Sequence, residues 1–135
     1  MREIARIQQG FFPTQDRIVR AVDGLFKLPV VQQGPIVVFD AGCGTGKAIH
    51  DLLEKWLARQ TDLNVTLLGI ESDKSRCQQA VETLVKGKGG GAALWSAIED
   101  ATIDNPVSLL WYNPPYDRIR GVGRTENTLF NRVKE

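Results

Sequence analysis

The stretch Val37 to Ala48, VVFDAGCGTGKA, constrains this chain more than any other. It opens in a continuous apolar run, Ile36 to Phe39, of the kind a strand shows when both of its faces are covered. Past the turn, Ala48, Ile49, Leu52, Leu53, Trp56 and Leu57 recur at helical spacing. Between strand and helix, Gly42, Gly44 and Gly46 alternate. Glycine in such a turn lets the backbone bend sharply and lets a ligand approach where a Cβ would collide. The helix starting near Gly46 turns its free N–H groups and positive dipole end toward the same place.

The remaining pattern repeats the alternation of strand and helix. Thr14 is placed to cap a first helix carrying Ile18, Val19, Val22, Leu25 and Phe26, and Pro29, Gly34 and Pro35 end that segment. Val65 to Ile70 reads as a second buried strand. Ser72 or Asp73 caps a helix whose Cys77, Ala80, Val81, Leu84 and Val85 face inward. Lys86 to Gly91, KGKGGG, reads as a flexible turn, followed by a weak strand at Ala92 to Ser96 and a fourth strand at Val107 to Tyr112. The expectation is a single α/β domain over residues 1–135, a parallel sheet of right-handed βαβ units. Near the end, Leu129, Phe130 and Val133 begin a helical pattern after Thr125.

Composition narrows the classes. A chain of 135 residues with a net charge of +1 can bury a real core but has no basic footprint over its whole surface. A basic groove must then be local, or supplied by another region. No apolar run approaches the roughly 20 residues that span a bilayer, and MREIARIQQG is not a secretory signal. Cys43 and Cys77 lack metal-ligand spacing and read as reduced thiols, so a cytoplasmic protein without membrane contact or metal is expected. His50 reads as a surface residue; Trp56 and Trp95 read as core or half-buried.

Glu71 closes the second strand in LLGIESD. A carboxylate there can accept hydrogen bonds from both hydroxyls of a ribose, which suits NAD and S-adenosyl-L-methionine alike. The glycine spacing discriminates, because the dinucleotide fingerprint is G-x-G-x-x-G and the glycines here alternate. Asp40 adds an acid where a pyrophosphate would be repelled and an ammonium welcome. The plainer alternative is an acid that caps the turn without a ligand.

DAGCGTG followed by GIESD resembles motifs I and II of the class I S-adenosylmethionine-dependent methyltransferases, which have a Rossmann-like sheet. The resemblance implies that the turn with Gly42 and Gly44 embraces the methionine part of the cofactor. Asp40 would help to hold its amino group and Glu71 its ribose. After the third strand, Ala97 stands where an Asp often contacts the adenine, leaving Glu99 or Asp100 for that role.

Asn113-Pro114-Pro115-Tyr116 follows the fourth strand, at the sheet edge where α/β proteins bind ligands. Two prolines fix the backbone and remove two N–H donors, leaving carbonyls, and the Asn113 side-chain oxygen is a further acceptor. Acceptors converging on one NH₂ group orient its hydrogens and free the nitrogen lone pair. Tyr116 could stack on the planar group that carries it. A plain turn is the alternative. NPPY is similar to motif IV of methyltransferases acting on adenine N6, guanine N2 or a glutamine side chain. Gly10 to Val22, GFFPTQDRIVRAV, resembles motif X of the DNA adenine-N6 enzymes, with Pro13 and Thr14 reversed relative to the common order. That resemblance implies that Phe12 and Thr14 pack over the methionine end of the cofactor, and that DNA is the substrate.

The resemblance runs from Gly10 to Tyr116, yet the family fold has seven strands and the pattern here yields about four. Either a fragment of a longer protein or a truncated gene product is therefore expected, with a C-terminal region or a partner subunit missing. Arg118, Arg120 and Arg124 could meet phosphates, but a solvated arginine loop is the preferred account, since exposed charges of this kind are usual. The rivals to a DNA enzyme are the same chemistry on RNA or protein glutamine, and a non-catalytic binding module of this fold.

Overall fold

A computed structural model of the chain describes residues 13–104 and 106–113. Their elements are α1 (Asp16–Asp23), β1 (Ile36–Asp40), α2 (Lys47–Arg59), β2 (Val65–Glu71), α3 (Lys74–Leu84), β3 (Gly91–Trp95), a 3₁₀ turn (Ile98–Asp100) and β4 (Leu109–Trp111). The strands form one sheet in the order β3-β2-β1-β4, and every neighbouring pair is parallel. This is the α/β, Rossmann-like fold expected from the alternating pattern.

The main core lies between the sheet and the two long helices. Ile49, Leu52, Leu53 and Trp56 of α2 and Leu84 of α3 pack against Val38, Val65 and Leu67, all essentially inaccessible to water. Ile49, Leu52, Leu53 and Trp56 are the i, i+3, i+4, i+7 stripe of α2, and Val65 and Leu67 alternate along β2, so one side-chain period meets the other. On the opposite face, Phe39, Ala41 and Ile70 are covered by Ile98 and Ala101 of the β3–β4 connection.

The connectivity explains that division. The chain moves outward from β1 to β2 to β3, then returns past both to place β4 on the other side of β1. Right-handed crossovers put α2 and α3 on one face and the returning segment on the other. The strand order reverses between β1 and β4, and it is beyond the carboxyl ends of such a pair that open α/β sheets take ligands.

Several local readings change. The first helix starts at Asp16 with Gln15 as its N-cap, so Thr14 is not the cap; no side chain bonds the helix start. The helix also ends at Asp23, leaving Leu25 exposed, while Phe26 meets Trp56 edge-on, centroids 5.8 Å apart. Of the two caps expected for the third helix, Ser72 and Asp73, it is Asp73 whose carboxylate accepts from the Arg76 N–H, at 2.8 Å. Such a cap contributes about 1 kcal/mol. The fourth strand, Leu109–Trp111, is shorter than the expected Val107 to Tyr112; just before it, the pairing with β1 is closed by Ser108. It donates its own N–H to the Val37 carbonyl at 2.9 Å and accepts the Val37 N–H on Oγ at 3.0 Å.

The KGKGGG segment is not a loose turn. Gly87, Gly89 and Gly90 donate backbone N–H bonds to Leu84, Val65 and Gly87, and Lys88 reaches the Thr61 carbonyl. Trp95 is neither core nor half-buried but 58% exposed on the outer strand. His50 is half-buried rather than a free surface group, with Nε2 3.5 Å from Glu54 and Nδ1 3.8 Å from Asp51. Among the described residues no helix is long and apolar enough to cross a membrane.

Candidate functional site

Asp40 is the last residue of β1, Glu71 the last of β2, and Asn113 lies two residues beyond β4. Parallel pairing brings all three to the same edge of the sheet. Asp40 pairs in register with Gly69 of β2 and with Trp111 of β4, so it stands between the other two.

The turn after β1 is anchored from below. The Cys43 N–H donates to the Ile70 carbonyl at 2.9 Å, and the Cys43 side chain rests on Gly69, where a Cβ would come within 2.6 Å of its sulfur. That close approach explains a glycine inside a buried strand. Gly46 then starts α2 in the left-handed conformation, φ +79°, with α3 close behind it at Leu84 and Ala80. Gly42 differs. It is exposed, its φ lies outside the left-handed region, and a Cβ there would meet nothing within 4 Å among the described residues. No packing there calls for a glycine, which leaves room for something held above the turn.

Asp40 is 3% exposed and accepts the Gly42 N–H at 3.1 Å. Burial, with the Glu71 carboxylate adding to it, pushes its acid up to about 7 against the single favourable bond from Gly42. No cationic side chain among the described residues bonds it. The same burial, reinforced by the charges of Asp40 and Glu71, pushes the Cys43 thiol far up. At 6% exposed it is a packing group and not a nucleophile.

Glu71, 7% exposed, has a different arrangement. Its Oε1 accepts both the Asp73 N–H at 2.9 Å and Arg76 Nη2 at 3.0 Å. Its Oε2 accepts nothing from the described residues, so one carboxylate oxygen is held fixed while the other is available to a ligand. Arg76, on the first turn of α3, went unrecognised in the sequence. The signal was its place five residues beyond Glu71, three beyond the cap. Trp95 was also missed: it pairs in register with Glu71, and its indole N–H donates to the Ser72 carbonyl at 2.9 Å. Lys74 Nζ lies 5.2 Å from its ring centroid, in cation–π range. Glu99 and Asp100, expected near an adenine, sit exposed on the 3₁₀ turn.

Thr14 and Asn113 meet: Asn113 Nδ2 donates to Thr14 Oγ1 at 3.1 Å. Phe12, Pro114, Pro115 and Tyr116, and the arginines after them, lie outside the described residues. Among the described residues, no cluster of His, Cys, Asp and Glu could hold a metal ion.

No protein-family model matches the chain, and no curated protein does. Among solved structures it is similar to a crystal structure from Listeria monocytogenes, provisionally described as a class I S-adenosylmethionine-dependent methyltransferase. The two share 19% identity at a TM-score of 0.62 over 76% of this chain. The likeness covers 31% of that protein, so the chain spans under a third of its length. At this identity the likeness establishes the fold: a Rossmann-like sheet of the kind found in that neighbour.

Proposed function

We propose that the chain is the cofactor-binding part of an S-adenosylmethionine-dependent N-methyltransferase whose acceptor is the N6 amino group of adenine in DNA. The observation that carries the cofactor half is Asp40. A buried carboxyl with no cationic partner among the described residues, beside a glycine open among them, suits an amino-acid ammonium better than a diphosphate. Glu71, with one oxygen pinned by Arg76 and Asp73, suits a ribose hydroxyl on the other. The bound cofactor would supply an electrophilic methyl on a sulfonium. This chain's residues would bind and orient: Asn113 presents a carboxamide oxygen to an amino hydrogen, and its neighbours in the NPPY turn add carbonyl acceptors. Proximity is then the main source of acceleration, because a neutral amine needs no prior deprotonation. DNA is preferred to RNA or protein glutamine because Gly10 to Val22 resembles the segment that precedes the glycine turn in DNA adenine-N6 enzymes.

Labelled cofactor offered with unmethylated DNA, RNA and protein extract tests the assignment. Label is expected in DNA as N6-methyladenine. Asn113→Ala should lower transfer by about a hundredfold or more, as loss of one preorganised polar group does, with cofactor affinity within about twofold. Label in RNA or protein instead would move the substrate to that class, and no label in any of them would remove the enzyme reading.

A further inference from the structure

Resting on that reading, we propose that Thr14 is a positioning residue for Asn113: its hydroxyl holds the carboxamide so that the oxygen faces the acceptor nitrogen. Two motifs separated by 99 residues are joined by one hydrogen bond, Asn113 Nδ2 to Thr14 Oγ1 at 3.1 Å. A carboxamide is a donor at one end and an acceptor at the other. Turned half a circle, it would present N–H groups, which cannot accept the amino hydrogens and would compete for the nitrogen lone pair. In the arrangement observed, the Thr14 oxygen accepts from Nδ2 and Oδ1 is the end left for the acceptor.

The mount is built for this. Thr14 is of the residue type that usually caps a helix, and it immediately precedes α1. Yet Gln15 takes the cap position and no side chain bonds the helix start, so the hydroxyl is not spent there. Thr14 and Asn113 are both partly buried. Helix α1 in turn is fixed to α2 at both ends. Asp16 accepts from Lys47 at 3.0 Å, Asp23 accepts two bonds from Arg59 at 2.7 and 2.9 Å, and Val19 is sunk in the core. A hydroxyl two residues ahead of an anchored helix thus meets a carboxamide two residues past a sheet strand, the arrangement that preorganisation requires. The placement differs from the one the family resemblance implies, in which Thr14 serves the cofactor.

The two roles separate experimentally on the 135-residue chain. In ¹⁵N spectra the Asn113 side-chain amide protons should be shifted and slow to exchange in the wild type and in Thr14→Ser. In Thr14→Val they should revert to solvent-exposed values. Thr14→Val should lower kcat by about tenfold or more, as a small misplacement of a reacting group does, while Thr14→Ser retains most of it. The dissociation constant for S-adenosylmethionine should stay within about twofold. In an Asn113→Asp background either carboxylate oxygen can accept, so Thr14→Val should there cost only about twofold.

An unchanged Asn113 amide signal in a folded Thr14→Val overturns the proposal whatever the chemistry turns out to be. So does unchanged kcat. So does an affinity loss that accounts for the whole defect, which would return Thr14 to the cofactor. Should Thr14→Val fail to fold, Thr14→Ala against Thr14→Ser gives the same contrast. A wild-type chain that methylates nothing but shows the Thr14-dependent amide signal refutes the functional reading, and the positioning role with it. The hydrogen bond alone then stands.

Discussion

Gly91→Ala should destabilise the chain by about 3 kcal/mol or more and lower Tm by about 10 °C or more, the cost of a buried overlap that no rotamer change relieves. Gly91 opens β3 directly under the end of α3, where a Cβ would sit 1.9 Å from the Leu84 carbonyl oxygen and 2.9 Å from that of Leu67. Both obstacles are backbone. Relief requires α3 to lift from the sheet, and Leu84, wholly buried in the main core, would lift with it. The same substitution at Gly42 should leave stability within about 0.5 kcal/mol, because a Cβ there enters open space among the described residues. It should instead weaken binding of S-adenosylmethionine. Thermal melts of the two variants make the comparison. A Gly91→Ala chain that melts with the wild type would show that β3 does not pack on α3 as described.

Asp40 carries the second large effect, and it is one of pH. Its acid is raised from an ordinary 3.8 to about 7, chiefly by burial and then by Glu71. A raised carboxyl favours the protonated folded state. Its contribution is whole below pH 3.8, is lost as pH rises toward about 7, and stays lost above. The difference across that window is about 4 kcal/mol at most. Asparagine keeps an oxygen for the Gly42 N–H and cannot ionise. Asp40→Asn should therefore match the wild type near pH 4 and exceed its stability by about 2–4 kcal/mol near pH 8. Denaturant midpoints across that range check it. Equal midpoints at high pH would mean that Asp40 already has a positive partner, and the case for a ligand ammonium would weaken. An acid that costs stability at neutral pH is the kind of residue that binding sites keep.

The legible and illegible parts of this fold divide on physical lines. Strands β1 and β2 were readable because both faces are largely covered, so their sequences are mostly apolar and end in an acid. That α3 is capped was readable from Ser72 and Asp73 ahead of an amphipathic stripe, and the fold selects Asp73. Strand β3 was half-read, since its edge position leaves Leu94 and Trp95 exposed and its first residue is a glycine chosen by α3. Composition suggested a flexible KGKGGG segment, whereas its glycines answer to neighbours distant in sequence, which no local pattern reports. Within the site, Asp40 and Glu71 were found by position relative to strands. Arg76 and the Thr14–Asn113 bond depend on pairing between elements and came only with the fold.

Calorimetric titration of the chain with S-adenosylmethionine and with NAD, near pH 6 and again near pH 7.5, tests the cofactor assignment most directly. A ligand ammonium should pull the Asp40 acid down, so binding near pH 6 releases a proton and affinity rises with pH. The predicted result is saturable binding of S-adenosylmethionine alone, tighter at the higher pH, with a proton release that Asp40→Asn abolishes. Binding of NAD instead, or of neither ligand by a folded chain, would contradict the account.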